Sequence, residues 1–193
     1  IPRRQRQMCI RDRNNQVDIL INNTQGPPAG NSLSKNIDSY QEAFDLLFKS
    51  VVHTTSLVIP GMQKNKWGRI INVTSVSVKE PLNYLVLSNS IRSAVVAWAK
   101  SLSVDLGPDG ITVNSILTGY FDTERIKELN KEKSKSLNIS ETEVLEKMKS
   151  LVPASRLGRP EEYGYLISFL SSDNAAYING ASIPIDGGLL KSY

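Results

Sequence analysis

Three short apolar runs, rich in β-branched residues and set apart by helix-length segments, restrict this chain to a small set of folds. They are Val17-Asp18-Ile19-Leu20-Ile21, Ile70-Ile71-Asn72-Val73-Thr74 and Ile111-Thr112-Val113-Asn114-Ser115-Ile116. Such runs are too short for helices and too continuously apolar for strands with one wet face, so they read as buried parallel strands. Between the first two, Phe44, Leu47, Phe48, Val51 and Val52 share a helical face. That helix is expected to open at Asp38, paired with Gln41, and to stop near Pro60-Gly61. Between the second and third, Ile91, Ala94, Val95, Trp98, Ala99 and Leu102 repeat at helical spacing over Leu85–Leu106, and Gly107-Pro108-Asp109-Gly110 ends the repeat. Residues Thr123–Leu151 are rich in lysine and glutamate and predict one or two solvated helices. Pro160, followed by Glu161 and Glu162, opens a last helix through Leu170, and Ser182-Ile183-Pro184-Ile185 gives a final short strand.

This alternation predicts an α/β fold built on a doubly wound, mostly parallel sheet. In such sheets ligands bind beyond the carboxyl ends of the strands. Three polar clusters fall at those ends: Asn22-Asn23-Thr24, Thr74-Ser75 and Thr118-Gly119-Tyr120. Any one of them alone is compatible with a plain turn. Three at equivalent ends point to a shared pocket.

The net charge of +4 narrows the partners once it is located. Five arginines against Asp12 in Ile1–Arg13 account for all of it, leaving 18 basic and 18 acidic side chains in the other 180 residues. A neutral body carries no electrostatic footprint for nucleic acid. The run Met8-Cys9-Ile10-Arg11-Asp12-Arg13 resembles a translated sequencing adaptor, so residues 1–13 are expected to be a non-native tail. Residues 14–193 then form a single domain, with no internal repeat. Cys9 is the only cysteine, which excludes a disulfide framework and a cysteine-rich metal site; no metal is expected. No apolar run approaches the roughly 18 residues a membrane span needs, and no secretory leader is evident, so a cytoplasmic setting is expected.

Residues 16–193 resemble the short-chain dehydrogenase/reductase family. Val17 to Asn23 is similar to the family's strand ending in Asn-Asn-Ala-Gly, and Gly68 to Ser75 resembles the strand that ends in its catalytic serine. Asn114 to Thr123 resembles the Asn…Pro-Gly-x-x-x-Thr cofactor loop. Arg156-Leu157-Gly158-Arg159-Pro160-Glu161-Glu162 and Ile178 to Gly188 resemble the C-terminal signature, the most specific of these motifs. The 3-oxoacyl-carrier-protein-reductase-like branch is the nearest resemblance. It implies a Rossmann-like fold, an NAD or NADP cofactor, and hydride transfer to or from a small-molecule carbonyl or alcohol. No Gly-x-x-x-Gly-x-Gly turn occurs here, and Gly26–Gly30 falls in the wrong place for one. The expected fold therefore lacks the first βαβ portion and should expose faces that portion would cover. By the same resemblance, Thr123–Leu151 stands where the family keeps its substrate lid, and the two long helices pair subunits into a homodimer or homotetramer, with Val52 and Trp98 as contacts.

Carried over position by position, the resemblance gives catalytic residues Ser75, Ser88 and Arg92. Ser75 fits the serine that polarises the substrate oxygen. The interval to the family's tyrosine lands on Ser88 and that to its lysine on Arg92, and the helix from Ser93 to Leu102 leaves no freedom to slide the register. Leu47 falls where the family has an asparagine. A serine hydroxyl is a far weaker acid than a phenol, and arginine stays charged, so impaired or altered proton transfer is expected. Tyr84, one turn before Ser88, is a further candidate for the vacated place, as is Tyr120 on the cofactor loop. The cofactor-binding set is Asn23, Thr24, Gln25, Arg92, Thr118, Gly119, Phe121 and Thr123, with Gln25 expected to crowd the nucleotide and Gly119 to admit a ring. His53 belongs on a helix away from the strand ends, a surface or interface position. Two functional classes stay open: an NAD(P)-dependent reductase, and a non-catalytic nucleotide or metabolite binder that keeps the fold.

Overall fold

A computed structural model describes residues 16–192; the tail Ile1–Arg13, with Cys9, lies outside them. Strands β1 (Ile19–Asn22), β2 (Gly68–Val73), β3 (Ile111–Thr118) and β4 (Ser182–Ile185) form one sheet in sequential order, every pair parallel. Helices α1 (Ile37–Phe44) and α2 (Ser50–Asn65) link β1 to β2, and α3 (Val86–Leu106) links β2 to β3. Helices α4 (Glu124–Leu137), α5 (Glu141–Ser150) and α6 (Pro160–Leu170) lie between β3 and β4. None of the described helices is long and apolar enough to cross a membrane.

Adjacent residues of a strand point to opposite faces, and Ile70 and Ile71 divide the core accordingly. Ile70, Ile111 and Val113 pack against Met62, Ala99 and Leu106, which come from α2 and α3. Ile71 and Ile116 pack against Leu170 of α6 and against Ala175. Helices on both faces make the sheet doubly wound, as the alternation predicts. Asparagines tie its periphery. Asn114 Nδ2 donates to the Ile178 carbonyl at 2.7 Å, and the Val113 amide donates to Asn179 Oδ1 at 2.9 Å, pinning the C-terminal segment to β3.

Three details depart from the sequence reading. Among the described residues the first run stands at the edge of the sheet rather than buried within it, with the kind of bare face expected where the first βαβ portion is lacking: Val17, Ile19 and Ile21 are 40%, 42% and 41% exposed, while Leu20 packs into the α2–α3 core. Alternation puts the exposed three on the α6 face of the sheet, where the helix covers β2 and β3 and leaves β1 bare. The first helix is capped by Asn36, whose side chain accepts from the Ser39 amide at 3.0 Å, so Asp38 sits in the first turn and not at the cap. Nor does the helix stop at Pro60. It runs on to Asn65, because Met62 is fully buried against Ile70 while Pro60 faces solvent, and it closes at Lys66 in the left-handed conformation. A π-helical stretch, Asp45–Lys49, joins α1 to α2.

Candidate functional site

The parallel register brings the strand tips level. Asn22 lies opposite Asn72, and Val73 opposite Ile116, with β3 running two residues further to Thr118. At the level of the first pair, Asn22 Nδ2 donates to Asn72 Oδ1 at 2.9 Å and to Thr55 Oγ1 at 3.0 Å. This buried polar tie accounts for both asparagines, which stand in glycosylation-like triplets in the sequence. Just beyond it the tips open into a cavity of about 630 Å³. That volume falls within the range of small-molecule sites.

The residues carried over as catalytic or cofactor-binding, together with Tyr120, all line this cavity. Asn23, Thr24 and Gln25 come from the loop after β1, Ser75 follows β2, and Tyr84, Ser88 and Arg92 come from the entry and first turns of α3. Thr118, Gly119, Tyr120, Phe121 and Thr123 come from the loop after β3. Gln25 is exposed and borders the cavity. Leu47 is buried in the π-helical stretch and does not border the cavity, and His53 is exposed on α2.

Ser75 combines two jobs. Its hydroxyl oxygen accepts from the Ser77 amide at 3.1 Å, capping the turn Val76–Val78, while its hydrogen remains for a ligand in the cavity. Arg92 is 8% exposed and reaches across the ends of two strands, Nη1 donating to the Val73 carbonyl at 2.7 Å and Nη2 to that of Thr24 at 3.3 Å. Among the described residues it has no carboxylate partner. Burial pulls the guanidinium down to about 10. Tyr84 lies ahead of α3, which begins at Val86, so it does not continue the helical ladder of Ser88 and Arg92; it reaches the same cavity from the preceding loop. Burial raises its phenol well above the ordinary tyrosine value, with Tyr120 within hydrogen-bonding reach. The Tyr120 phenol is raised by burial too.

Gly119 also has a packing reason. A Cβ there would lie 2.6 Å from Asp186 Cα, so close packing of the β3 and β4 ends already demands glycine. Phe121 is buried edge-on against the Tyr163 ring, 5.2 Å between centroids, and serves as wall. Thr123 heads α4 without capping it by its side chain; its hydroxyl borders the cavity and donates to the Phe121 carbonyl at a long 3.5 Å.

Tyr163 and Arg125 are among the lining residues that the sequence did not single out. Tyr163 of α6 bonds Thr118 Oγ1 at 2.8 Å, and burial pushes its phenol up to about 12 even though Thr118 and Arg92 both pull it down. Its spacing to Leu166, Ile167 and Leu170 marked it as inward-facing, but nothing local marked the cavity. Arg125 of α4 donates to the Pro27 carbonyl at 3.0 Å, joining α4 to the loop after β1. Its neighbours in sequence are charged surface residues, which hid it.

A family profile described as "Enoyl-(Acyl carrier protein) reductase" matches residues 8–190. This chain belongs to the short-chain dehydrogenase/reductase family. Within that family it is similar to the NADPH-dependent reductase BacG of Bacillus subtilis, 31% identical over 177 residues, covering 92% of this chain and 68% of the relative. The 3-oxoacyl-[acyl-carrier-protein] reductase FabG of Haemophilus influenzae is 33% identical over 183 residues, covering 91% of this chain and 68% of that protein. A crystal structure of YwfH, titled an NADPH-dependent reductase involved in bacilysin biosynthesis, superposes with a TM-score of 0.90 at 29% identity. It covers 99% of this chain and 74% of that one. The short-chain dehydrogenase/reductase chain thus spans about two thirds of the length of the curated relatives. It is an oxidoreductase-family protein of the 3-oxoacyl-carrier-protein-reductase-like branch.

Proposed function

We propose that the cavity is the nicotinamide and substrate site of an NAD(P)H-dependent reductase acting on a small carbonyl compound or alcohol, with impaired proton transfer. The observation that carries the reading is the meeting of Ser75 from the end of β2, Arg92 from α3 and Thr123 from the loop after β3 around one cavity. The nicotinamide end of the cofactor fits the lining: a buried guanidinium with donors to spare at Arg92, and at Thr123 a hydroxyl held only by a long 3.5 Å contact to the Phe121 carbonyl. When bound, it supplies or accepts a hydride. NADPH is favoured over NADH because relatives carry NADPH in their names.

In this reading Thr123 and the loop from Thr118 orient the cofactor's amide, Arg92 holds ribose hydroxyls, and Ser75 donates its hydrogen to the substrate oxygen. Proton delivery is the weak step. Efficient general acids have pKa values near the working pH. Ser88 lies far above that, and burial pushes the phenols of Tyr84 and Tyr120 above the ordinary tyrosine value. They remain protonated donors but poor acids.

A second reading, a nucleotide or metabolite binder without turnover, is favoured by Ser88 together with Leu47. Fluorescence titration with NADPH, followed by a carbonyl panel under saturating NADPH, separates the two. NADPH oxidation dependent on a carbonyl supports the reductase; tight NADPH binding with no turnover across the panel supports the binder. A homodimer or homotetramer through α2 and α3 fits the exposure of Leu57 (63%) and Val104 (68%), with Trp98 already half-buried against Phe48. Sedimentation velocity tests it.

A further inference from the structure

The charges in the cavity wall say something about the substrate. Its charged lining residues are Arg92, Arg125 and Glu128, a surplus of one positive charge. Arg92 is buried with no counter-ion among the described residues, and its charge and that of Arg125 repel each other. Arg125 is held at the mouth rather than neutralised. Nη2 donates to the Pro27 carbonyl at 3.0 Å, and Nη1 stands a long 3.5 Å from Glu128, whose side chain is 63% exposed. Gly26 makes room for it, since a Cβ there would lie 3.3 Å from Arg125 Nε. An arginine fork with N–H donors left over, its side chain only 34% exposed, is suited to a carboxylate. Next to it the wall is apolar, formed by Leu82, Leu85, Ile126, Leu129 and Met148.

We propose that Arg125 binds a carboxylate on the substrate, reinforced by the uncompensated charge of Arg92, so that the substrate class is oxo acids with an apolar body. This deepens the reductase reading and rests on it. A surplus of one charge matches a monoanion better than the dianionic phosphate of a nucleotide, which is the other source of the same chemistry.

The test compares 2-oxo-4-phenylbutanoate with its neutral ethyl ester, by thermal shift and tryptophan-fluorescence titration of the full chain and of its Arg125→Gln and Arg125→Lys variants. The expected result is binding of the acid about tenfold tighter than the ester, a preference lost in Arg125→Gln and partly kept in Arg125→Lys. Equal affinity for acid and ester, or an undiminished preference in Arg125→Gln, overturns the proposal. A parallel NADPH titration separates the sources: if Arg125→Gln weakens NADPH while the acid preference persists, the cation serves the cofactor and the proposal fails. Selective acid binding with no hydride transfer to either compound upholds the carboxylate site and sinks the reductase reading instead.

Discussion

Thr118 Oγ1 and Tyr163 Oη stand 2.8 Å apart, joining the end of β3 to the first turn of α6 across 45 residues of sequence. The bond fixes the root of the loop that carries Gly119, Tyr120 and Phe121 into the cavity, and the Tyr163 ring backs Phe121. Thr118→Val and Tyr163→Phe are each expected to lower unfolding free energy by about 0.5–1.5 kcal/mol. In a double-mutant cycle by urea unfolding, the double variant should cost less than the sum of the two, because the second change removes a partner already lost.

Replacing Ser88 by tyrosine and Arg92 by lysine should raise the rate of NADPH-dependent carbonyl reduction. A positioned phenol next to a lysine ammonium restores a general acid, an effect of roughly a hundredfold or more. Steady-state rates of the double variant against the parent chain are the check, and a flat result would mean that proton delivery is not what limits this site.

Gly119→Ala should destabilise the fold irrespective of any ligand. Its methyl group would meet the backbone of Asp186 at 2.6 Å, which a flexible side chain cannot relieve. Overpacking of this kind costs about 1–3 kcal/mol. Thermal melting in the absence of nucleotide reads it directly, and an unchanged Tm would return the glycine to a ligand-contact role.

Acid should weaken the segment that enters α6. The guanidinium of Arg156 bonds both carboxylate oxygens of Glu162, at 2.7 and 2.8 Å, and the Arg159 amide donates to it at 2.7 Å. Together they hold this carboxyl down at about 2. A carboxyl depressed in the folded state stabilises above its unfolded value of about 4.3, and that contribution is lost as pH falls towards 2. The fall in Tm over that window should therefore be smaller in Glu162→Gln than in the parent.

The sequence by itself determined the elements and their layering. Continuous β-branched runs favour cover on both faces, and the helical stripes between them supply it, so a mostly parallel sheet and a cavity at the carboxyl tips follow from local pattern. The tertiary structure decided what local pattern does not encode. Val17, Ile19 and Ile21 are as apolar as a buried strand, and it is the set of described strands that leaves their face of β1 uncovered. Pro60 should stop a helix, but burying Met62 outweighs it. Arg125 reads as one more charge on a solvated lid until the fold sets it against Pro27, and Tyr163 as one more core residue until Thr118 arrives beside it. The physical reason is common to all four: burial and hydrogen bonding depend on which distant segment the chain brings near, and that is fixed only when the whole sheet closes.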